Sequence, residues 1–309
     1  MLILPALIMS KENSDICIMK VPTNRIKDIV NHYVNEIIPL YGKEEATQLV
    51  LLLTEHYFGI DRLKLAVEPD FRLTESELLT IHFAVKELKQ YKPVQYIIGQ
   101  SEFFGRHYFV NEDVLIPRPE TEQLVQLTID SISKNKNYKR ILDVGTGSGC
   151  IAVSLALELP EISVSACDIS EKALETAKKN ADALDAGVSF FECDVIHFKQ
   201  DALLPEWDLI VSNPPYVTES DKKQMQQNVM AWEPHLALFV TDEDPLIFYR
   251  SIIQFSTDHL SIGGCILFEI NELFGNQLVK LLQDNHFTDI SIHLDFHSKN
   301  RFISAVRTA

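Results

Sequence analysis

Between Ile141 and Gly149 an apolar run, Ile141-Leu142-Asp143-Val144, passes straight into glycines at every second position, Gly145, Gly147 and Gly149. An apolar stretch from Cys150 to Leu159 follows and reads as a helix stopped by Pro160. Strand, glycine-rich turn and helix in that order restrict the chain to α/β architectures. Glycines let the backbone bend sharply and come close to a ligand, and the helix N-terminus adds free N–H groups and partial positive charge. The dinucleotide fingerprint would need a third glycine where Cys150 stands, so the turn by itself defines only a nucleotide-like ligand. Asp168 ends the next predicted strand, Ser163 to Cys167, where a carboxylate can accept both hydroxyls of a ribose. Asp194 ends the third, Ser189 to Cys193, within reach of an adenine amino group. Strands and helices keep alternating after residue 140, as in a doubly wound sheet, and Asp143, Asp168 and Asp194 then fall on the sheet edge where such folds bind ligands.

The second defining stretch is Ser212-Asn213-Pro214-Pro215-Tyr216, which follows a buried strand predicted over Trp207 to Val211. Two prolines fix φ and remove two N–H donors, leaving a rigid turn lined with acceptors. The Asn213 side-chain oxygen and the Pro214 carbonyl can each accept one N–H of a planar NH2 group, with Tyr216 stacked on its face.

Asp143 to Gly149, Asp168 and Asn213 to Tyr216 together resemble the class I S-adenosylmethionine-dependent methyltransferases of the Asn-Pro-Pro-Tyr kind. Within them the chain resembles the protein-(glutamine-N5) methyltransferases of peptide chain release factors, the PrmC/HemK family. Ile116-Pro117-Arg118-Pro119-Glu120-Thr121-Glu122 and Trp232-Glu233-Pro234 carry this narrower likeness, which runs from about Tyr91 onward. The resemblance implies methyl transfer to the glutamine amide nitrogen of the release factors' Gly-Gly-Gln motif, with S-adenosylhomocysteine as product. It places the cofactor on Asp143, Val144, Gly145, Thr146, Gly147, Asp168, Asp194, Val195 and Asn213. Catalysis falls to Asn213, Pro214 and Tyr216, and substrate binding to those three with Pro215; no metal is called for. The implied fold is a Rossmann-like sheet of seven mostly parallel strands with a terminal antiparallel strand. A small all-α bundle (1–92), which helps dock the protein substrate, and a β-hairpin linker (93–118) precede the methyltransferase domain (119–309).

The bundle has its own signature. From Asn24 to about Gln90 three apolar stripes recur at helical spacing: Ile26, Val30, Tyr33 and Ile37; Ala46, Leu49, Val50, Leu53 and Tyr57; Leu78, Ile81, Val85 and Leu88. Thr74 and Glu77 match a capping box. Between Pro93 and Arg118, Tyr96-Ile97-Ile98, Phe103-Phe104 and His107 to Val110 read as strands broken by Gly99 and Gly105. A helix entered at Arg118-Pro119-Glu120 buries Val125, Ile129 and Ile132. Further on, Ser170 caps a helix carrying Ala173, Leu174 and Ala177, and Asp244-Pro245 starts one through Phe255. Gly263-Gly264-Cys265 opens a fifth strand to Ile270, Ile290 to Leu294 and Phe302 to Val306 form an antiparallel pair, and Val217 to Thr241 reads as a long loop.

Charge bears on the partner. Forty-four acidic residues against 28 basic ones give a net charge of −16 over 309 residues, which repels a polyphosphate and counts against nucleic acid as the direct substrate. The five cysteines lack Cys-x-x-Cys spacing and read as free thiols of a reducing compartment, in keeping with a cytoplasmic location. His293 and His297 are four apart with no third ligand evident. Met1 to Met9 is apolar but too short to span a bilayer and has no preceding basic residue, so neither a signal peptide nor a membrane association is expected; a translation start downstream, at Met9 or Met19, or a frayed tail fits it. Two other readings stay open. The same turn fits the amino group of adenine or guanine in a nucleic acid, and a non-enzymatic scaffold would keep the fold without the chemistry.

Overall fold

In a computed structural model, residues 7–8, 17–18, 23–198, 204–225 and 227–308 are described. The stretch before Thr23, including Met9 and Met19, where a downstream start was expected, lies outside them except for the backbone pairing of Leu7–Ile8 with Cys17–Ile18. The chain divides into two units, Met1–Ile98 and Gly99–Ala309.

The first unit is helical: α1 (Ile26–Tyr41), α2 (Lys43–Phe58), α3 (Arg62–Val67), α4 (Glu75–Leu88) and α5 (Val94–Ile98). The three apolar stripes bury one another in a single core that includes Ile26, Tyr33, Ile37, Val50, Leu53, Ile81 and Leu88. Thr74 and Glu77 form the reciprocal cap of α4, the Thr74 N–H donating to Glu77 at 2.7 Å. Tyr96-Ile97-Ile98, expected as a strand, is the short helix α5. Its amides at Tyr96 and Ile97 bond back to the Pro93 carbonyl, and burial of Val94 and Tyr96 outweighs the β preference of the isoleucines.

The second unit is built on a sheet whose strands are β1 (Arg140–Val144), β2 (Ser163–Asp168), β3 (Val188–Glu192), β4 (Trp207–Ser212), β5 (Leu260–Glu269), β6 (Phe287–Leu294) and β7 (Asn300–Arg307). Their spatial order is β3-β2-β1-β4-β5-β7-β6. The first five are mutually parallel, and β7 inserts antiparallel between β5 and β6. The seven-stranded, mostly parallel class I sheet is therefore present. Alternate residues serve opposite faces, as the pleat requires. Ile141, Val164, Leu209, Val211 and Leu267 pack with α6 (Pro119–Lys134) and α7 (Cys150–Glu158), whereas Leu142, Ile210, Ile266 and Phe268 pack with α10 (Ile247–His259) and α11 (Gly275–Asp284). Chain order reverses between β1 and β4, which opens a crevice at the carboxyl ends of the strands.

Three expectations for this unit need correction. Asp244 does not cap α10, which begins at Ile247; its carboxylate is instead drawn to Arg250. The fifth strand begins at Leu260, not at the glycines, because a bulge between Leu260 and Cys265 absorbs Gly263 and Gly264 without ending the pairing with β4. The stretch Val217 to Thr241 is folded: Val217–Thr218 pairs in parallel with Phe239–Val240, and the α9 helix (Gln227–Trp232) lies between them. Its short polar segments masked the local pairing in the sequence.

A hairpin, Gln100–Phe103 with Arg106–Phe109, is fastened to the sheet by Asn180 of α8 (Glu171–Ala183). The Asn180 side chain accepts the Phe109 N–H at 2.6 Å and donates to the carbonyls of Phe109 at 2.9 Å and Ser148 at 2.8 Å. One buried amide thus ties the hairpin to the glycine turn. Asn180→Ala leaves three main-chain groups without that partner, a loss of about 3 kcal/mol. Thermal denaturation is expected to show a melting temperature lower by roughly 6–12 °C for a domain of this size.

Candidate active site

The glycine turn follows β1 with Gly145, Gly147 and Gly149 all at positive φ (73°, 54° and 81°). At Gly149 a side chain is also excluded by packing, since a Cβ would stand 3.0 Å from the Ala177 Cβ of α8. Asp168, at the end of β2, holds the turn open: its two oxygens accept the N–H groups of Gly147 and Ser170, each at 2.9 Å. Burial raises its pKa, and these backbone bonds act against the rise. Asp194, two residues beyond β3, accepts the N–H groups of Ile196 and His197 and pairs with the His197 ring. Modest burial raises its pKa, but the His197 and backbone bonds outweigh that and leave it below the usual value.

Gly145, Gly147, Asp168, Ser170, Asp194 and Ile196 are among the residues that line a cavity of about 300 Å³. Of the cofactor residues expected from sequence, Val144, Gly145, Gly147, Asp168, Asp194, Val195 and Asn213 face it; Asp143 and Thr146 do not. Asp143 is fully buried beneath the turn and accepts the Thr146 hydroxyl at 2.7 Å, so this pair braces the turn from below. The apolar walls include Leu115, Ile169, Leu236 and Phe248, none of which carries a motif and none of which the sequence singled out.

A second cavity, about 320 Å³, is also walled by Asn213 and Pro214. Arg118, Tyr216, Met225, Val229 and Glu269 are among its lining residues. Asn213, Pro214, Leu115 and Ala237 line both spaces. Tyr216 is on the second cavity alone, and Pro215 on the first alone.

Two buried carboxylates absent from the expected site organise this boundary. Glu269, the last residue of β5, accepts the Thr121 hydroxyl at 2.7 Å on one oxygen and the Tyr216 hydroxyl at 2.9 Å on the other. Burial raises the Glu269 pKa, while the two hydroxyls and the nearby Arg301 pull it back. Burial and the adjacent Glu269 push the Tyr216 phenol well above its usual range, so it stays a hydrogen-bond donor. Asn213 in turn donates from Nδ2 to the Thr121 oxygen at 3.2 Å. Glu233 receives Arg118 on both oxygens, at 2.6 and 2.7 Å. That pair joins the Ile116–Glu122 and Trp232–Pro234 stretches, which are far apart in sequence. Sequence alone passed over Glu269, whose one trace there is a lone acidic residue near the carboxyl end of the apolar run Cys265 to Ile270. Among the described residues no group of three His, Cys, Asp or Glu side chains is placed to hold a metal ion. Of the cysteines, Cys150, Cys167 and Cys265 are buried and Cys193 is partly so, all four as free thiols. His293 bonds Ser304 at 2.8 Å. No described helix is long and apolar enough to cross a membrane.

A sheet of this order, with a glycine turn after its first strand and Asn-Pro-Pro-Tyr after its fourth, defines a class I methyltransferase. The catalytic domain of hMettl16, solved in complex with MAT2A 3'UTR hairpin 6, shares the fold at 15% identity and a TM-score of 0.51, over 76% of this chain and 82% of that one. The family model of the methyltransferase small domain matches residues 121–236, and that of the PrmC N-terminal domain matches residues 40–99. The release factor glutamine methyltransferase of Flavobacterium psychrophilum is 42% identical over 90% of this chain and 98% of its own length. That of Bacteroides thetaiotaomicron is also 42% identical, over 92% of this chain and all (100%) of its own. The chain belongs to the family of release factor glutamine methyltransferases, the one its motifs resemble.

Burial of Asp143 raises its pKa from 3.8 to about 7, with the Thr146 bond opposing the rise and Asp168 adding to it. A carboxyl whose pKa is raised on folding binds more protons folded than unfolded, so its contribution to stability falls as pH climbs between those two values and is level above them. Asp143→Asn keeps an acceptor for Thr146 and removes the titration. Its melting temperature relative to wild type is therefore expected to be higher at pH 8 than at pH 5, and thermal scans at the two pH values check this.

Proposed function

We propose that the protein transfers a methyl group from S-adenosylmethionine to the side-chain amide nitrogen (N5) of the glutamine in the Gly-Gly-Gln motif of peptide chain release factors, modulating translation termination in the cytoplasm. The observation that carries this reading is the meeting of two cavities at Asn213 and Pro214, one walled by the glycine turn and Asp168, the other by Tyr216 and Glu269. The names of the relatives point to the same substrate. The helical unit serves to dock the release factor.

The first cavity suits the cofactor. Gly145 and Gly147 have open space where a Cβ would stand, so a ligand can lie against their backbone. Asp168 keeps acceptor capacity for ribose hydroxyls beyond its two backbone bonds, and Asp194 is placed for an adenine amino group. Ile169, Val195 and Phe248 supply apolar contact for a flat base. Val144, Thr146 and Asp143 act from strand β1 and the turn, the last two by support. When bound, S-adenosylmethionine supplies a methyl group already activated by its sulfonium.

The acceptor nitrogen is the harder partner. An amide lone pair is tied into the resonance that gives a peptide bond its barrier of about 18–20 kcal/mol. The Asn213 Oδ1 and the Pro214 carbonyl accept the two N–H groups of the glutamine amide, favour its polarised form and aim the nitrogen at the first cavity. Pro214 and Pro215 stiffen the turn, so little is lost in reorganisation, and orientation of this kind can be worth about 7–11 kcal/mol. Tyr216 covers the amide face with its hydroxyl anchored on Glu269. The proton leaves to water or to the turn's carbonyls. The net charge of −16 weighs against a nucleic acid in the second cavity.

Intact-mass analysis of an unmethylated release factor, incubated with the protein and S-adenosylmethionine, tests the reading. One added methyl group mapping to the Gly-Gly-Gln glutamine is expected. Asn213→Ala should lower kcat by about 100-fold or more while cofactor affinity holds. Absence of transfer with wild-type protein that binds the cofactor would overturn the substrate and direct the search to nucleic acids.

A further inference from the structure

The amide of Asn213 has two nearly isosteric ends, and only one of them is useful. With its oxygen toward the second cavity it accepts a hydrogen bond from an incoming NH2 group; turned over, it presents its own NH2 and repels one. Nothing in the two prolines that follow decides between these. The decision lies in a chain of bonds behind the turn. Glu269 is 2% exposed, and its oxygens face two hydroxyls, Thr121 at 2.7 Å and Tyr216 at 2.9 Å. A carboxylate only accepts, so the Thr121 proton is committed to Glu269. The Thr121 oxygen can then only accept from Asn213, 3.2 Å away, and Asn213 must turn its Nδ2 inward. Its Oδ1, which has no protein partner among the described residues, is left facing the cavities.

We infer that Glu269, acting through the Thr121 hydroxyl, sets the orientation of the Asn213 amide and thereby makes Asn213 an acceptor. Thr121 and Glu269 are positioning residues for the transfer proposed above, and the inference rests on that reading of Asn213. The elements involved come from three places: Thr121 from the first turn of α6, Asn213 from the end of β4, and Glu269 from the end of β5. A flipped Asn213 would set two oxygens against each other, unless Thr121 left a buried carboxylate short of a donor. Either arrangement disfavours the flip by about 10- to 100-fold in population.

The test combines kinetics with the side-chain amide resonances of Asn213, assigned by their loss in Asn213→Ala. In wild-type protein one Asn213 amide proton should exchange slowly, as the donor to Thr121, and the other fast. Thr121→Ser should preserve this pattern and most of the activity. Thr121→Val, of nearly the same shape, should lose the protected proton and about 10- to 100-fold in kcat on the release factor, with cofactor affinity little changed and a lower melting temperature, because one Glu269 oxygen then lacks its donor. A wild-type Asn213 whose two protons both exchange fast would overturn the inference without any variant. So would Thr121→Val with wild-type kcat and an unaltered amide signal. If wild-type protein does not methylate the release factor, the substrate reading fails by itself, and the amide signal of Thr121→Val still decides the orientation.

Discussion

Glu269 sits at the end of a strand whose preceding residues, Cys265 to Phe268, are all buried and apolar. A carboxylate in such a place is costly unless each oxygen is met by a donor. Here one oxygen is met by Thr121 and the other by Tyr216, while the Glu269 main-chain carbonyl takes the Tyr249 hydroxyl at 3.0 Å. The contacts satisfy the charge and at the same time grip the Asn-Pro-Pro-Tyr turn at both ends. Removing the acid would leave Thr121 and Tyr216 without their common acceptor, so core stability and the geometry of the turn rest on the same atoms.

The Arg118–Glu233 pair does a related task at the rim. Glu233 is almost wholly buried, whereas the guanidinium is a third exposed. Both carboxylate oxygens are taken by one nitrogen of Arg118, and the Ile116 N–H approaches at 3.4 Å. The stretch before α6 and the end of α9 are thereby held together around the cavities, whose walls include Leu115 and Pro234. An ion pair with one partner this deeply buried is strongly destabilising to break, because the remaining charge has nowhere to go.

Much of this was legible in the chain. The helix stripes Ile26 to Ile37 and Leu78 to Leu88, the Thr74–Glu77 cap and the alternation of strands and helices all follow from local periodicity, and the structure reproduces them. The glycine turn, Asp168 and Asn213 could be read because each motif lies within a few consecutive residues. What escaped was non-local. Thr121, Glu233 and Glu269 owe their environment to partners 92 to 148 residues distant, and no local pattern reports such a contact. Asn180 reads as an ordinary polar residue in a helix until the hairpin carbonyl and the glycine turn are brought against it. The Tyr96–Ile98 error has the same root, with tertiary burial overriding the preference of the residues themselves.

The insertion of β7 between β5 and β6 has a consequence for how the molecule assembles. The strand that completes the middle of this half of the sheet follows both of its neighbours in the chain, and Phe302, Ile303 and Ala305 fill the core from it. During synthesis from the amino end, β1 to β4 and the glycine turn emerge early and can pair in parallel, but β5 has an unpaired edge until β7 is made. Glu269, which pairs with Phe302 across that edge, is therefore among the last groups to be locked. A ribosome-bound chain would carry a formed glycine turn before Glu269 gained its partner strand, so the two halves of the crevice are completed at different moments of the protein's birth.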